Sequence, residues 1–276
     1  MQDVTGWVSV ITGAASGMGL GMARCFSSVG MKVVLADIEQ EPLDNAVAEL
    51  KAAGADVLGV RTDVTKLAEH EALAAATLSA FGKVNVLCAN AGVGASAPVG
   101  ATSLEDWRWT LEVDLWGPIY GVHTFLPLIE QAGAGHLNAT ASMAGLLAGG
   151  SLAAYNVAKH GVVALMASLA RDLLIAGSPI RASVLCPGPV NTNIVHSDRN
   201  RPAESAAQHI ATPQGDRFWG MLTKALSHGM DPDAVGPLVL EAIQEQKFWV
   251  FTHPEMLEFV QTQLDLAKTD RSIRKF

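Results

Sequence analysis

The stretch "WVSVITGAASGMGLGMARCFSSVGMKVVLAD", residues 7–37, contains the order of elements that decides the fold. It begins with the apolar run "WVSVIT" (7–12), passes through a glycine-rich turn into a helical pattern, and ends in a second apolar run, "KVVLAD" (32–37). Gly30 follows the helical pattern, as glycine commonly does at a helix C-terminus. Apolar strands that alternate with helices predict a parallel sheet that is covered on both faces.

The same alternation continues along the chain. Five further apolar runs are typical of strands: "DVLGVRTD" (56–63), "VNVLCAN" (84–90), "GHLNATAS" (135–142), "IRASVLCPG" (180–188) and "KFWVFT" (247–252). Helical patterns separate these runs, with Gly54 and Gly82 at the ends of two of them. The sequence therefore predicts an α/β fold, a doubly wound, Rossmann-like parallel sheet of about seven strands with helices on both faces. We expect one domain over residues 1–276.

One segment, residues 191–230, breaks this rhythm because it is long, polar and irregular. A connection of this length inside a compact domain usually forms a lid or a binding loop, and we expect a substrate-binding lid here. Phe218, Trp219 and Met221 are apolar residues within it. They either close over a ligand or pack on the body of the protein as ordinary core, and the sequence leaves both possibilities open.

Composition excludes several classes of protein. The formal net charge is −8, whereas a nucleic-acid-binding surface needs clustered Lys and Arg. Cys25, Cys88 and Cys186 lie far apart without paired spacing, which indicates reduced thiols and no metal site. No basic leader and no apolar run as long as a membrane span is present. We expect a cytoplasmic protein with neither nucleic-acid nor membrane partners.

The glycine-rich turn has the chemistry of a dinucleotide site. Between the first strand and the first helix, the spacing GxxxGxG brings together Gly13, Ser16, Gly17, Met18 and Gly19. Glycines permit a tight turn and let a pyrophosphate approach the first N–H groups of the helix, where the helix dipole favours anions. Such turns also arise for packing alone, so this motif needs support from a second feature.

Asp37, at the end of the second strand, provides that support. A carboxylate at this place can hydrogen-bond the ribose hydroxyls of the adenosine. A 2′-phosphate would be repelled there, and no Arg or Lys occurs at 14–16 or 38–41 to offset the repulsion. These residues predict NAD rather than NADP as the cofactor. Alternatively, Asp37 only caps the helix that follows, since Asp is favoured at helix N-caps.

Six motifs together resemble a known family. They are "TGAASGMG" (12–19), "DV" (63–64), "NAG" (90–92), Ser142, "YNVAK" (155–159) and "PGPVNT" (187–192). Their order and spacing are similar to those of the short-chain dehydrogenases/reductases, in the shorter type of that family, over roughly residues 1–260. The resemblance implies that Asp63 and Val64 border the adenine and that Asn90, Ala91 and Gly92 line the cofactor. It also implies that the nicotinamide is flanked by Pro187, Gly188, Val190 and Thr192.

The resemblance further implies a catalytic set of Ser142, Tyr155 and Lys159. Residues four apart share one face of a helix, so Lys159 lies beside Tyr155. The ordinary pKa of tyrosine, about 10, is too high for a base near neutrality. We expect the Lys159 ammonium and the positive nicotinamide to lower it, while Ser142 orients the substrate oxygen. Taken alone, Tyr155 and Lys159 are also compatible with an ordinary surface helix.

One position departs from the family pattern. Where the family usually has an Asn that holds a water linked to the lysine, this chain has Asp114 in "EVDLWG". An ionised carboxylate accepts hydrogen bonds but cannot donate, and its charge favours a protonated Lys159. We expect the proton relay to survive with an altered pH profile. Alternatively, Asp114 points elsewhere and matters little.

These observations predict an NAD-dependent oxidoreductase that interconverts a secondary alcohol and a ketone, with Tyr155 as general acid and base. Small and apolar residues in "GVGASAPVG" (92–100) and "MAGLLAGGSL" (143–152) favour a hydrophobic or aromatic small-molecule substrate. Two alternatives are a 3-oxoacyl-type carbonyl reductase and a non-catalytic NAD(H)-binding sensor. The helix after Lys159 is apolar almost all round, and with the habit of the family it favours a homodimer or homotetramer.

Overall fold

Seven parallel strands form the central sheet of the computed structural model, which describes residues 1–94, 96–203, 210–269, 271 and 273. Each of the seven predicted runs contains one strand. Their bounds are β1 Val8–Thr12, β2 Lys32–Asp37, β3 Val57–Arg61, β4 Val86–Ala89, β5 His136–Thr140, β6 Arg181–Cys186 and β7 Trp249–Phe251. The strand order is β3-β2-β1-β4-β5-β6-β7, and every neighbouring pair is parallel.

Helices connect the strands and cover both faces of the sheet. Their bounds are α1 Gly17–Ser28, α2 Gln40–Ala52, α3 Leu67–Phe81, α4 Leu104–Leu111, α5 Gly117–Gln131, α6 Ala153–Ile175, α7 Pro213–Ser227, α8 Val235–Glu245 and α9 Leu257–Thr269. Gly30, Gly54 and Gly82 all have positive φ angles where α1, α2 and α3 end. Glycine adopts this backbone conformation without the steric cost of a β-carbon.

Alternate side chains of each strand point to opposite faces, and two separate cores result. On one face, Leu35 of β2 packs with Phe26 of α1 and Ile243 of α8. On the other face, Val10 of β1 packs with Phe125 of α5 and Met166 of α6. Because both faces are covered, the strands carry continuous apolar runs, as in other parallel sheets. The predicted doubly wound α/β fold is confirmed.

The strand order also determines where a ligand can bind. β1 lies between β2 and β4, so the chain winds in opposite directions from β1 to the two edges. In open α/β sheets, ligands bind outside the carboxyl ends of the strands at this point of reversal. The glycine turn follows β1, and Asn90 follows β4. The fold therefore brings two of the predicted motifs to the same crevice.

The segment 191–230 is more regular than its sequence suggests. It contains a 3₁₀-helical segment, Asn193–Asn200, and the helix α7. Thr212 caps α7 by accepting a hydrogen bond from the amide of Gly215 at 3.0 Å. A parallel bridge between Val190 and Met230 joins the two ends of the segment. The expectation of an irregular loop is therefore wrong for these parts, and residues 204–209 lie outside the described residues.

Other sequence expectations concern membranes, metals and thiols. Within the described ranges, no helix has both the length and the apolar character needed to cross a membrane. The same ranges contain no group of three or more His, Cys, Asp or Glu residues arranged to hold a metal ion. Cys25, Cys88 and Cys186 are free thiols, and the last two are buried.

Candidate active site

A cavity of about 480 Å³ lies at the carboxyl edge of the sheet. Most of the residues predicted to hold cofactor or substrate line it: Gly13, Ser16, Gly17, Met18, Asp37, Asp63, Val64, Asn90, Ala91, Gly92, Ser142, Tyr155, Lys159, Pro187, Gly188, Val190 and Thr192. Gly19 and Asp114 are not among the lining residues. The motifs are distant in sequence, and the sheet brings them to one cavity.

The glycine turn approaches its neighbours too closely for a side chain. Gly13 has a φ of +64°, and a β-carbon there would lie 2.8 Å from the Cα of Ala91. A β-carbon at Gly19 would collide with the carbonyl oxygen of Gly13. Gly19 therefore serves the packing of α1 against the turn, and this is why it does not reach the cavity.

The first turn of α1 is open to the cavity. Ser16 is the N-cap residue, and its side chain makes no capping hydrogen bond to the described residues of the helix. Gly17 and Met18, the first two residues of α1, line the cavity wall. The first N–H groups of a helix lack intrahelical partners and carry a partial positive charge. This turn has the properties of an anion-binding site.

Asn90 ties together the carboxyl ends of three strands. Its backbone amide and that of Ala91 both donate to the Thr12 hydroxyl, at 2.9 and 3.1 Å. Its side-chain amide donates to the Thr12 carbonyl at 3.0 Å, and the Thr140 hydroxyl donates to its Oδ1 at 3.0 Å. Sequence reasoning missed Thr12 and Thr140. Both are hydroxyl residues at the last position of a buried strand, and this position could have identified them from the sequence.

Asp37 is fixed by backbone amides. Its Oδ2 accepts from the amide of Ala15 and its Oδ1 from that of Glu39, both at 3.0 Å. Burial raises the pKa of Asp37, and the Glu39 and Ala15 amides oppose that rise. The N-cap of α2 is Glu39, so the alternative that Asp37 caps this helix is wrong. Its carboxylate instead forms part of the cavity wall.

The fold brings a cation close to Asp37 that the local sequence does not show. Arg199, in the 3₁₀-helical segment, pairs with Glu39 through two hydrogen bonds, Nε to Oε1 at 2.9 Å and Nη2 to Oε2 at 2.7 Å. The two residues are 160 positions apart. Both line the cavity. A search for basic residues next to Asp37 in sequence could not find this one.

The predicted catalytic residues meet at the other end of the cavity. Tyr155 and Lys159 lie on the first turns of α6, and the Lys159 Nζ is 5.4 Å from the centroid of the Tyr155 ring. The Lys159 Nζ donates to the Thr140 carbonyl at 3.1 Å. Ser142 follows β5, and its hydroxyl accepts from the amide of Ala144 at 3.1 Å. Lys159 is only 2% exposed, so the surface-helix alternative is wrong.

Asp114 lies behind Lys159, away from the cavity. It belongs to a π-helical segment, Glu112–Trp116, which interrupts the helical stretch between α4 and α5. Its Oδ2 is 3.4 Å from the Lys159 Nζ, and its Oδ1 accepts from the amide of Val93 at 2.8 Å. Asp114 is fully buried, and the alternative that it points elsewhere is wrong. Burial raises its pKa, while Lys159 opposes the rise.

The chain alone does not lower the pKa of Tyr155. Burial raises this pKa, because desolvation disfavours the phenolate, and Lys159 lowers it by a smaller amount. Asp114 raises it further, and Ser142 lowers it. Lys159 thus acts on the Tyr155 pKa in the expected direction, and burial outweighs its effect in the chain by itself. A further positive charge beside Tyr155 would lower this pKa in the same direction as Lys159 does.

The segment 191–230 contributes one apolar wall. Trp219 lines the cavity and packs so tightly on Gly94 that a β-carbon there would lie 2.8 Å from the indole ring. Leu222 and Leu226, one and two turns further along α7, also line the cavity. Phe218 does not, and Met221 is 66% exposed. Leu222 and Leu226 follow Trp219 at helical spacing, and this spacing could have predicted from the sequence that they share its face of α7.

Comparisons with known proteins agree with this geometry. The model of the family described as short chain dehydrogenase matches residues 8–203. A crystal structure of a short chain dehydrogenase/reductase from Burkholderia phymatum in complex with NAD is 40% identical, with a TM-score of 0.97, and the match covers 100% of this chain and 99% of that one.

Two further relatives are named dehydrogenases. The 1-deoxy-11-beta-hydroxypentalenate dehydrogenase of Streptomyces exfoliatus is 34% identical over 260 residues, which cover 93% of this chain and 86% of the relative. A C alpha-dehydrogenase of a Sphingobium species is 29% identical over 260 residues, covering 94% and 84%.

Proposed function

We propose that this chain, which belongs to the short-chain dehydrogenase family, is an NAD-dependent oxidoreductase. The reaction that we propose interconverts a secondary alcohol and a ketone. One observation carries the proposal. A single cavity is lined at one end by Asp37 and the first turn of α1, and at the other end by Ser142, Tyr155 and Lys159. An anion site and a proton-transferring group are thus combined in one space.

The cavity residues fit a dinucleotide. The uncapped first turn of α1 would hold the pyrophosphate, and Asp37 would accept hydrogen bonds from the adenosine ribose. Asp63 and Val64 would border the adenine, and residues 187–192 would flank the nicotinamide. NAD supplies the hydride acceptor for alcohol oxidation when it is bound. The Burkholderia phymatum protein, crystallised with NAD, supports this choice of cofactor.

The catalytic residues divide the proton chemistry among them. Tyr155 removes the hydroxyl proton during oxidation and returns it during reduction. Ser142 holds the reacting oxygen through its hydroxyl, and Lys159 stabilises the phenolate from the same helix face. Asp114 contacts Lys159 from the side away from the cavity and acts as a positioning residue. The positive nicotinamide of the oxidised cofactor would add to the effect of Lys159 and stabilise the phenolate further.

The apolar walls favour a hydrophobic or aromatic substrate. Trp219, Leu222 and Leu226 from α7 line the cavity together with Met143 and Met256. Binding sites for small molecules are mostly apolar, with few polar groups that fix the orientation of the ligand. The dehydrogenase named above for 1-deoxy-11-beta-hydroxypentalenate is consistent with oxidation of a hydroxyl group.

The proposal extends to assembly and location. We expect a homodimer or homotetramer, because α6 exposes Val157, Leu174 and Ile175 on its surface. Three free thiols without a disulfide fit the reducing environment of the cytoplasm. Sedimentation should give twice or four times the chain mass, and a monomer at micromolar concentration would contradict this expectation.

The test is a panel of hydrophobic secondary alcohols and ketones, assayed with NAD and with NADP and followed by the absorbance of the reduced cofactor. We expect turnover with NAD on at least one secondary alcohol. Turnover of a 3-oxoacyl thioester with NADP would favour the carbonyl reductase instead. NADH binding without any turnover, and with no change in Tyr155→Phe, would favour a non-catalytic sensor.

A further inference from the structure

The pair Glu39–Arg199 joins two walls of the cavity. Glu39 is the N-cap residue of α2 and lies two positions after Asp37, whereas Arg199 lies in the segment Asn193–Asn200. The guanidinium forms a two-pronged pair with the carboxylate, at 2.9 and 2.7 Å. Paired charge-assisted bonds of this type are stronger and more directional than single ones.

The Nη1 group of Arg199 is also occupied. Its Nη1 donates to the backbone carbonyl of His196 at 2.9 Å and lies 3.4 Å from that of Asn193. Glu39, and more weakly Asp37, raise the pKa of the Arg199 guanidinium. Arg199 is therefore held in one place by its own segment and by the loop after β2.

Arg199 is the cation positioned to influence the ribose end of the cavity. The basic residues among the described cavity-lining residues are Lys66, Lys159 and Arg199. Lys159 belongs to the catalytic end, and Lys66 makes no described contact with the loop after β2. Arg199 alone among these three contacts that loop.

A 2′-phosphate on the adenosine ribose would meet opposing charges here. Asp37 and Glu39 would repel it, whereas a guanidinium fork matches phosphate oxygens in geometry and charge. In this structure, however, the prongs of the fork are taken by Glu39. An arginine that is already paired on this side cannot offer the same two donors to a phosphate.

We propose that Glu39 is a second determinant of cofactor choice, which excludes NADP by holding Arg199 as well as by repelling the 2′-phosphate. This inference rests on the proposed placement of the adenosine ribose at Asp37. Without the Glu39 charge, Arg199 becomes a phosphate-binding residue contributed by the segment 191–230. In the wild-type protein, the preference for NAD over NADP would thus depend on Asp37, Glu39 and Arg199 together rather than on Asp37 alone.

The experiment measures dissociation constants for NADH and NADPH by fluorescence titration, which needs no substrate. Glu39→Gln should raise the affinity for NADPH relative to that for NADH about tenfold, the effect of one charge-assisted hydrogen bond. The double variant Glu39→Gln/Arg199→Met should lose this gain. The exposed Glu41→Gln, on the first turn of α2, is the matched control for charge and should leave both constants unchanged.

A gain in NADPH binding by Glu39→Gln that equals that of Glu41→Gln would overturn the inference, as would a gain that persists without Arg199. Asp37→Ser distinguishes this failure from failure of the proposed site. If Asp37→Ser weakens NADH binding while Glu39→Gln leaves NADPH binding unchanged, only the role of Glu39 is wrong. If Asp37→Ser changes neither constant, the ribose placement and the inference both fail.

Discussion

At each end of the cavity a lining cation is paired with a carboxylate, Lys159 with Asp114 behind it and Arg199 with Glu39, and the pairs differ in burial. At the catalytic end, the side chains of Asp114 and Lys159 are 0% and 3% exposed. At the ribose end, those of Glu39 and Arg199 are 23% and 39% exposed. Removing one partner of a buried pair leaves an uncompensated charge, whereas solvent compensates in an exposed pair. The first pair is therefore expected to matter for folding, whereas the second is the pair that we propose to act in cofactor choice.

The largest effect is expected from breaking the buried pair with Lys159→Met. The Asp114 carboxylate would remain buried without its cation, at a cost of about 3–5 kcal/mol in the free energy of unfolding, and turnover would be lost. Urea denaturation measures the first effect and the alcohol assay the second. Lys32→Met, which breaks an exposed pair with Asp56, is the control and should cost at most about 1 kcal/mol.

The stability of Lys159→Met should also depend on pH. Burial raises the pKa of Asp114 above its ordinary value of 3.8, and without Lys159 less opposes that rise. The folded state then holds a proton that the unfolded state loses as the pH rises above that value. The free energy of unfolding must therefore fall as the pH rises from 3.8 to the raised pKa that Asp114 has in the folded state. If Lys159→Met lowered the free energy of unfolding by the same amount at every pH, this would contradict a buried Asp114 carboxylate as the partner of Lys159.

The next effect concerns the pH profile of Asp114→Asn. The charge of Asp114 raises the pKa of Tyr155, and Asn lacks that charge. Alcohol oxidation requires the phenolate, so the rising limb of kcat/KM should move to lower pH in this variant. Glu105→Gln, which removes a half-buried carboxylate paired with Arg108 on α4, should leave the profile in place. A profile of Asp114→Asn that superposes on that of wild type would refute a role for Asp114 in the relay.

The smallest effect is expected from Arg199→Met at the ribose end. Exposed ion pairs contribute about 0–1 kcal/mol, so the free energy of unfolding should change by less than about 1 kcal/mol. The comparison with Lys159→Met is the informative quantity, since both substitutions remove the cation of one pair. If the two variants lost similar amounts of free energy of unfolding, the difference in burial between the two ion pairs would not determine their contributions to stability.

The fold and most of the cavity wall could be predicted because their signals are local. An apolar run such as "KVVLAD" (32–37) indicates a buried parallel strand without knowledge of its neighbours. The glycine turn requires positive φ at Gly13, a conformation that favours glycine. Tyr155 and Lys159 share a helix face because of their spacing alone.

The rest depends on contacts between distant parts of the chain. The pair Glu39–Arg199 joins residues 160 positions apart, and the sequence near Asp37 contains no sign of it. The pKa of Tyr155 depends on how deeply the cavity buries the phenol, and residue spacing carries no information on that balance. Secondary structure within 191–230 was obscured because its polar composition is also typical of loops.

The substitution Tyr155→Phe tests the central claim most directly, because it removes one hydroxyl and leaves the ring in place. We predict that kcat for the oxidation of a secondary alcohol falls by about 10²–10⁴-fold, the usual contribution of a general acid or base, while the dissociation constant for NADH stays within about twofold. Retention of wild-type turnover by Tyr155→Phe, with NADH still bound, would contradict the claim that Tyr155 transfers the proton.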